Sequence, residues 1–120
     1  MTQAEKKARR DLRNEMRFPT HLDAEIAYGG ACLPIVIADI SSRGVMIEGD
    51  MLPAAGVRVR VRAKGLDAMG IVVWTDGTQC GVLLRNAINP LAVVRANAEA
   101  FRAQLASGIG TYFTDTNRGL

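Results

Sequence analysis

Between Val57 and Arg62 the chain alternates without a break: Val57, Val59 and Val61 take turns with Arg58, Arg60 and Arg62. In an extended strand successive side chains point to opposite faces, whereas a helix would scatter these arginines around its circumference. The segment therefore reads as a strand with valines turned inward and arginines outward. A strand with one wet face needs paired neighbours and an apolar layer beneath it. These six residues commit the chain to a sheet.

Strand signals extend on both sides. Leu22, Ala24, Ile26 and Tyr28 alternate with polar residues. Gly29-Gly30 marks a tight turn. Ala31 to Ile40 is apolar at both parities, as expected of a strand covered on each face. Pro34, which cannot donate to a ladder, places an edge or a bulge near its start. Arg43 to Glu48 is a short strand after a turn. Leu66 to Thr75 and Gln79 to Arg85 form a final pair around Asp76-Gly77, a hairpin signal. Trp74, within an apolar run, is expected in the core.

The period then changes. Asn89-Pro90 combines an N-cap with a proline at the first helical position. Leu91, Val94, Ala98, Phe101 and Leu105 recur at steps of three and four, which predicts an amphipathic helix ending at Ser107-Gly108. The expected fold is mainly β: a small six-stranded antiparallel β-barrel with a C-terminal amphipathic helix packed on it. Residues 1–16 read as a flexible basic arm, 17–107 as the barrel and helix, and 108–120 as a loose tail.

The chain has 120 residues, 48% apolar and 22% charged, which suits one globular domain. Its two cysteines, Cys32 and Cys80, match no zinc or redox spacing and are expected as buried small hydrophobes in a reducing compartment. The N-terminus is polar where a signal peptide would be apolar. No apolar run approaches the length of a membrane span. A soluble, cytoplasmic protein without membrane insertion is expected.

Catalysis finds no anchor. The one histidine, His21, has no nucleophile motif beside it and is expected as an exposed structural residue. No phosphate-cradling loop is present, no carboxylates are forced together by spacing, and no metal or cofactor is implied. The function class that survives is binding. Charge points to an anionic ligand: Lys6, Lys7, Arg9, Arg10, Arg13 and Arg17 crowd the first segment, and Arg presents a planar, permanently charged fork to phosphate.

Two short constellations stand out. Arg13-Asn14-Glu15-Met16-Arg17 sets two arginines four apart. Asp39-Ile40-Ser41-Ser42-Arg43-Gly44 lies between two strands, with 21 residues separating Arg17 from Asp39. Asp39 and Ser41 are turn formers whose side chains bond nearby backbone N–H groups. Gly44 supplies either a positive φ or room for close approach.

In this order the two constellations resemble the PilZ family, whose pattern is Arg-x-x-x-Arg followed by Asp/Asn-x-Ser-x-x-Gly. Arg17-Phe18-Pro19, Ile71-Val72-Val73-Trp74, Cys80-Gly81-Val82-Leu83-Leu84 and the final helix are similar to the family as well. Together they cover about Arg9 to Leu105. Leu83 and Leu84 stand where the family often has Phe, a volume-tolerant change. Arg9 and Arg13 form a second Arg-x-x-x-Arg; Arg13 and Arg17 are preferred because Arg17 directly precedes Phe-Pro and the first strand.

The resemblance implies a PilZ-like, split-barrel fold and binding of cyclic di-GMP, with a downstream protein as reader. It implies Arg13, Arg17, Asp39, Ser41 and Gly44 as ligand residues, with Arg9, Arg10 and Arg43 as weaker candidates. The Arg-x-x-x-Arg arm would close over the Asp-x-Ser-x-x-Gly turn. Two alternatives stay open. One is a PilZ-like protein-interaction adaptor that does not bind the nucleotide. The other is a small basic barrel on single-stranded nucleic acid, which Arg58, Arg60 and Arg62 would suit but which the scarcity of aromatic stacking platforms opposes.

Overall fold

The structure, a computed structural model, describes residues 16–108. Of the basic arm only Met16 falls within them; Arg9, Arg10, Arg13 and the tail beyond position 108 lie outside the described residues. Six strands form a closed antiparallel barrel: β1 (Phe18–Tyr28), β2 (Ala31–Ile40), β3 (Gly44–Glu48), β4 (Arg58–Ala63), β5 (Leu66–Thr75) and β6 (Gln79–Leu84). Their order around the ring is β1-β2-β3-β6-β5-β4. One helix, α1 (Pro90–Gly108), follows.

Alternation builds the core. Ile26 from β1, Ile37 and Ile40 from β2, Ile47 from β3, Val59 and Val61 from β4, Val72 from β5 and Cys80 from β6 are fully buried. Arg58 and Arg60 face solvent and Arg62 is half-buried, as the Val-Arg alternation predicts. The turns follow their residues. Gly29 and Gly30 take φ of 57° and 79°, the left-handed pair that a two-residue hairpin requires. At the β5–β6 turn the Asp76 carboxylate accepts the N–H groups of Thr78 at 3.0 Å and Gln79 at 2.8 Å. Those bonds hold its pKa below the ordinary carboxylate value.

Three ladders carry an irregularity: between Pro19 and Leu22 in β1, between Ile37 and Asp39 in β2, and between Val72 and Trp74 in β5. Each extra residue inverts the parity that follows it. In β2 the inward positions are Ile35, Ile37 and then Ile40, so Asp39 turns outward opposite Met46. In β5 the same device turns Trp74 outward.

Several expectations need correction. Trp74 is 39% exposed, not core. Cys32 is exposed, because the parity that buries Ile35 and Ile37 puts it outside; there its thiol donates to Glu25 Oε2 at 3.2 Å. Cys80 is buried as expected. The outer parity of β2 is not uniformly covered: Cys32 and Pro34 are exposed, while Val36 and Ala38 are half-buried. Pro34 does lie at an edge, since β3 pairs only with Val36 and later residues of β2.

Asn89 caps α1 as predicted, accepting the Ala92 N–H on its side chain at 3.2 Å. The packed face is rotated from the expected stripe. Val93 enters the core, whereas Leu91 and Phe101 stay exposed, Phe101 at 61%. The cause is the seat of the helix. β1 pairs with β4 only from Glu25 to Ala27, so its first half has β2 on one side and no described strand on the other. α1 lies along this gap, tied by Asn97 Nδ2 donating to the Lys64 carbonyl at 2.9 Å in the β4–β5 turn. Among the described residues, no helix is long and apolar enough to cross a membrane.

Candidate functional site

The β2–β3 turn is held by its own serine. Ser41 is 2% exposed. Its Oγ accepts the Gly44 N–H at 3.1 Å and lies 3.2 Å from the Gly44 carbonyl oxygen, which also accepts the Ser41 N–H at 2.9 Å. The turn is then fastened to the strand beside it. Leu84 N–H donates to the Arg43 carbonyl, and Ile88 N–H to the Ser42 carbonyl, both at 2.8 Å. Gly44 is buried and opens β3 opposite Leu83. It is not among the residues with positive φ, so its conformational freedom is not what the turn uses.

Asp39 stands at the rim of this rigid turn. Arg17 Nη2 lies 2.8 Å from its Oδ2. The two side chains are 40% and 20% exposed, a half-screened pair. The other oxygen, Oδ1, is buried with no hydrogen-bond partner. A buried acceptor left unpaired costs free energy, so such an atom calls for an explanation. Arg43 is exposed at the turn's tip.

Thus four of the expected site residues, Arg17, Asp39, Ser41 and Gly44, are brought together, and Arg43 borders them. Their situations differ. Arg17 is exposed and pairs with the half-buried Asp39, while Ser41 and Gly44 shape the backbone that carries Asp39.

One neighbour escaped the sequence reading. Cross-strand partners share a face, and the ladders define an outer row: Trp74 opposite Gly81, Gly81 opposite Met46, Met46 opposite Asp39. The row spans three strand spacings, about 14 Å. The indole lies over Gly81, where an added Cβ would fall inside the ring. Its one signal in the sequence was a glycine in β6 that leaves room for a large side chain on β5.

On the far side of β1, a groove of about 850 Å³ runs between its outer residues and α1, with His21 and Asp23 on one wall and Val94 and Phe101 on the other. His21 is exposed there, as expected. Among the described residues no three His, Cys, Asp or Glu side chains converge on a point that could hold a metal ion.

A closed six-stranded ring, a serine-locked turn presenting Asp39 and an arginine just before the first strand define a PilZ-type domain. The profile of the PilZ domain matches residues 11–101, most of the chain. The chain belongs to the PilZ domain family. A search of curated proteins finds no match.

Among solved structures, the fold is similar to the Bacillus subtilis inhibitor of motility (MotI/DgrA). That match has a TM-score of 0.50 and 13% identity, covering 78% of this chain and 52% of that one. The fold is similar also to PlzA of Borreliella burgdorferi, crystallised in complex with c-di-GMP. Here the TM-score is 0.55 and the identity 12%, covering 77% of this chain and 45% of that one. The chain therefore spans about half the length of the solved structures it matches. At these identities the likeness is one of fold.

Proposed function

We propose that this domain is a cytoplasmic receptor for cyclic di-GMP that acts by binding rather than catalysis and passes its state to a downstream protein. The observation that carries the reading is the unpaired Asp39 Oδ1, buried beside the Arg17 guanidinium. An ionised carboxylate accepts only, and the guanine N1–H and N2–H offer two donors side by side. Arg17 matches the O6 and N7 edge of a guanine or a phosphate oxygen. Arg13, outside the described residues, would supply a second fork from the arm, with Arg9, Arg10 and Arg43 as further cations.

In this reading Ser41 and Gly44 do not need to touch the ligand. They hold the backbone so that Asp39 is presented in one orientation, which lowers the ordering cost of binding. The arm closes over the turn by virtue of its extra contacts in the bound state. The ligand shifts the arm only by its differential affinity for that docked position.

Calorimetric titration with cyclic di-GMP, repeated on Arg17→Ala and Asp39→Ala, tests the proposal. Wild-type binding should be at least micromolar, with each variant weakened tenfold or more, about 1.4 kcal/mol. Wild-type binding no tighter than millimolar would leave the domain as a protein adaptor that does not use the nucleotide.

A further inference from the structure

The described residues expose nine large apolar side chains, and five of them share one face of the barrel: Met69, Ile71, Val73 and Trp74 on β5 and Leu83 on β6. They are 37–46% exposed. Contiguous apolar surface on a folded domain is often an interaction site. The registers make the patch continuous. Ile71 stands opposite Leu83 on β6 and opposite Arg58 on β4, and Met69 stands opposite Arg60. Arg85 adjoins Met69 through an N–H···O bond of 2.8 Å. α1 seats against β1 and the β4–β5 turn, away from this face.

The rim is basic at the Met69–Ile71 end, while Asp76 lies at the Trp74 end with its carboxylate bonded to the Thr78 and Gln79 N–H groups. Arg60 is paired with Asp67 through two bonds, at 2.6 and 2.7 Å, so that carboxylate is spent. Arg58 and Arg85 make no ion pair among the described residues. Both are exposed beside the apolar residues.

We infer that the outer face of β5 and β6 is a docking surface for a partner protein segment that carries apolar side chains flanked by aspartate or glutamate. The apolar strip supplies buried area, and the two arginines select a segment of opposite charge. A second copy of this chain fits less well, because a two-fold contact through this face would bring matching arginine rims together. The surface shares Trp74 with the outer row that leads to Asp39, but Met69, Ile71, Leu83, Arg58 and Arg85 lie outside that row, so the inference stands whether or not the domain binds a nucleotide.

The probe is a displayed library of random twelve-residue peptides, panned on the wild-type protein. Peptides surviving counter-selection on Ile71→Glu/Leu83→Glu should share apolar anchors beside acidic residues. Synthetic copies should shift the amide resonances of Met69, Ile71, Leu83 and Arg85. They should bind the double variant at least about tenfold more weakly. Arg58→Glu/Arg85→Glu should exchange their preference toward lysine-flanked versions. Both variants change outward side chains, and their melting temperatures show whether the barrel is intact. The inference fails if no consensus emerges, if the selected peptides are basic, or if the resonance shifts fall in the α1–β1 groove. Self-association abolished by Ile71→Glu/Leu83→Glu, seen in sedimentation, would assign the face to a second copy and overturn it equally.

Discussion

Arg17 reaches only one oxygen of Asp39: Nη2 sits 2.8 Å from Oδ2, while Oδ1 is buried without a partner. The pair is half exposed, and such pairs contribute about 0–1 kcal/mol to stability. Arg17→Ala should therefore leave the denaturant midpoint almost unchanged while weakening cyclic di-GMP binding at least about tenfold. A large stability loss with unchanged affinity would reassign Arg17 to the scaffold.

Ser41 makes the opposite prediction. Its hydroxyl is buried and bonded within the turn. Removing it leaves the Gly44 N–H without that acceptor, at a cost of about 1–3 kcal/mol. Ser41→Ala should lower thermal stability, whereas Ser41→Thr should fail to rescue it fully for want of room. Affinity for the nucleotide should fall only as far as the turn loosens. Denaturant melts set beside calorimetry separate the two effects.

The packing of Trp74 on Gly81 can be read optically, because Trp74 is the sole tryptophan in the chain. A methyl at position 81 would overlap the indole. Gly81→Ala should lift the ring into water, shift its emission to longer wavelength, and destabilise the barrel by about 1–3 kcal/mol through overpacking. Unchanged emission would show that the ring does not lie there.

The cysteines should differ chemically. Burial pushes the Cys80 thiol up to about 11 from an ordinary value of 9.0. Cys32 should react with a thiol reagent in the native protein at neutral pH, and Cys80 only after unfolding. Linkage gives the pH dependence. The unfolded chain loses the Cys80 proton near 9.0 and the folded chain near 11. Cys80 thus contributes stability that is lost as pH rises across that window. In Cys80→Ala the fall in stability between those pH values should be shallower, as measured by denaturant melts at each pH.

The helix offers a contrast between two apolar residues. Val93 is 3% exposed and Phe101 is 61% exposed. Val93→Ala should cost about 2 kcal/mol from lost burial and a partial cavity. Phe101→Ala should fall within about 0.5 kcal/mol of wild type. Thermal melts of the two variants check this difference.

The ring of strands was legible because alternation, turn glycines and the Asn-Pro helix start are local signals. The sequence also held the candidate site in its order of residues, but not the physical roles within it. Ser41 read both as a turn former and as a contact residue, and its 2% exposure and its bonds to Gly44 bear out the first of these. Trp74 was misplaced because the irregularity between Val72 and Trp74 reverses its parity, and such a slip arises from pairing with β6 rather than from β5 itself. Cys32 was misplaced by reading β2 as uniformly apolar. The face of α1 was misjudged because periodicity finds the most apolar stripe, whereas the gap beside β1 selects the stripe that fits.

Val93 is the one side chain that α1 sinks fully into the core among the described residues, and Asn97 ties the same turn of helix to Lys64. Beyond that anchorage no α1 side chain is fully buried among the described residues, although Phe101 and Gln104 line the groove against β1. Evolution can therefore lengthen, recharge or splice the distal part of α1 onto another module without retuning the turn that holds Asp39. The β2–β3 turn and the distal part of the helix can diversify at separate rates within one small domain.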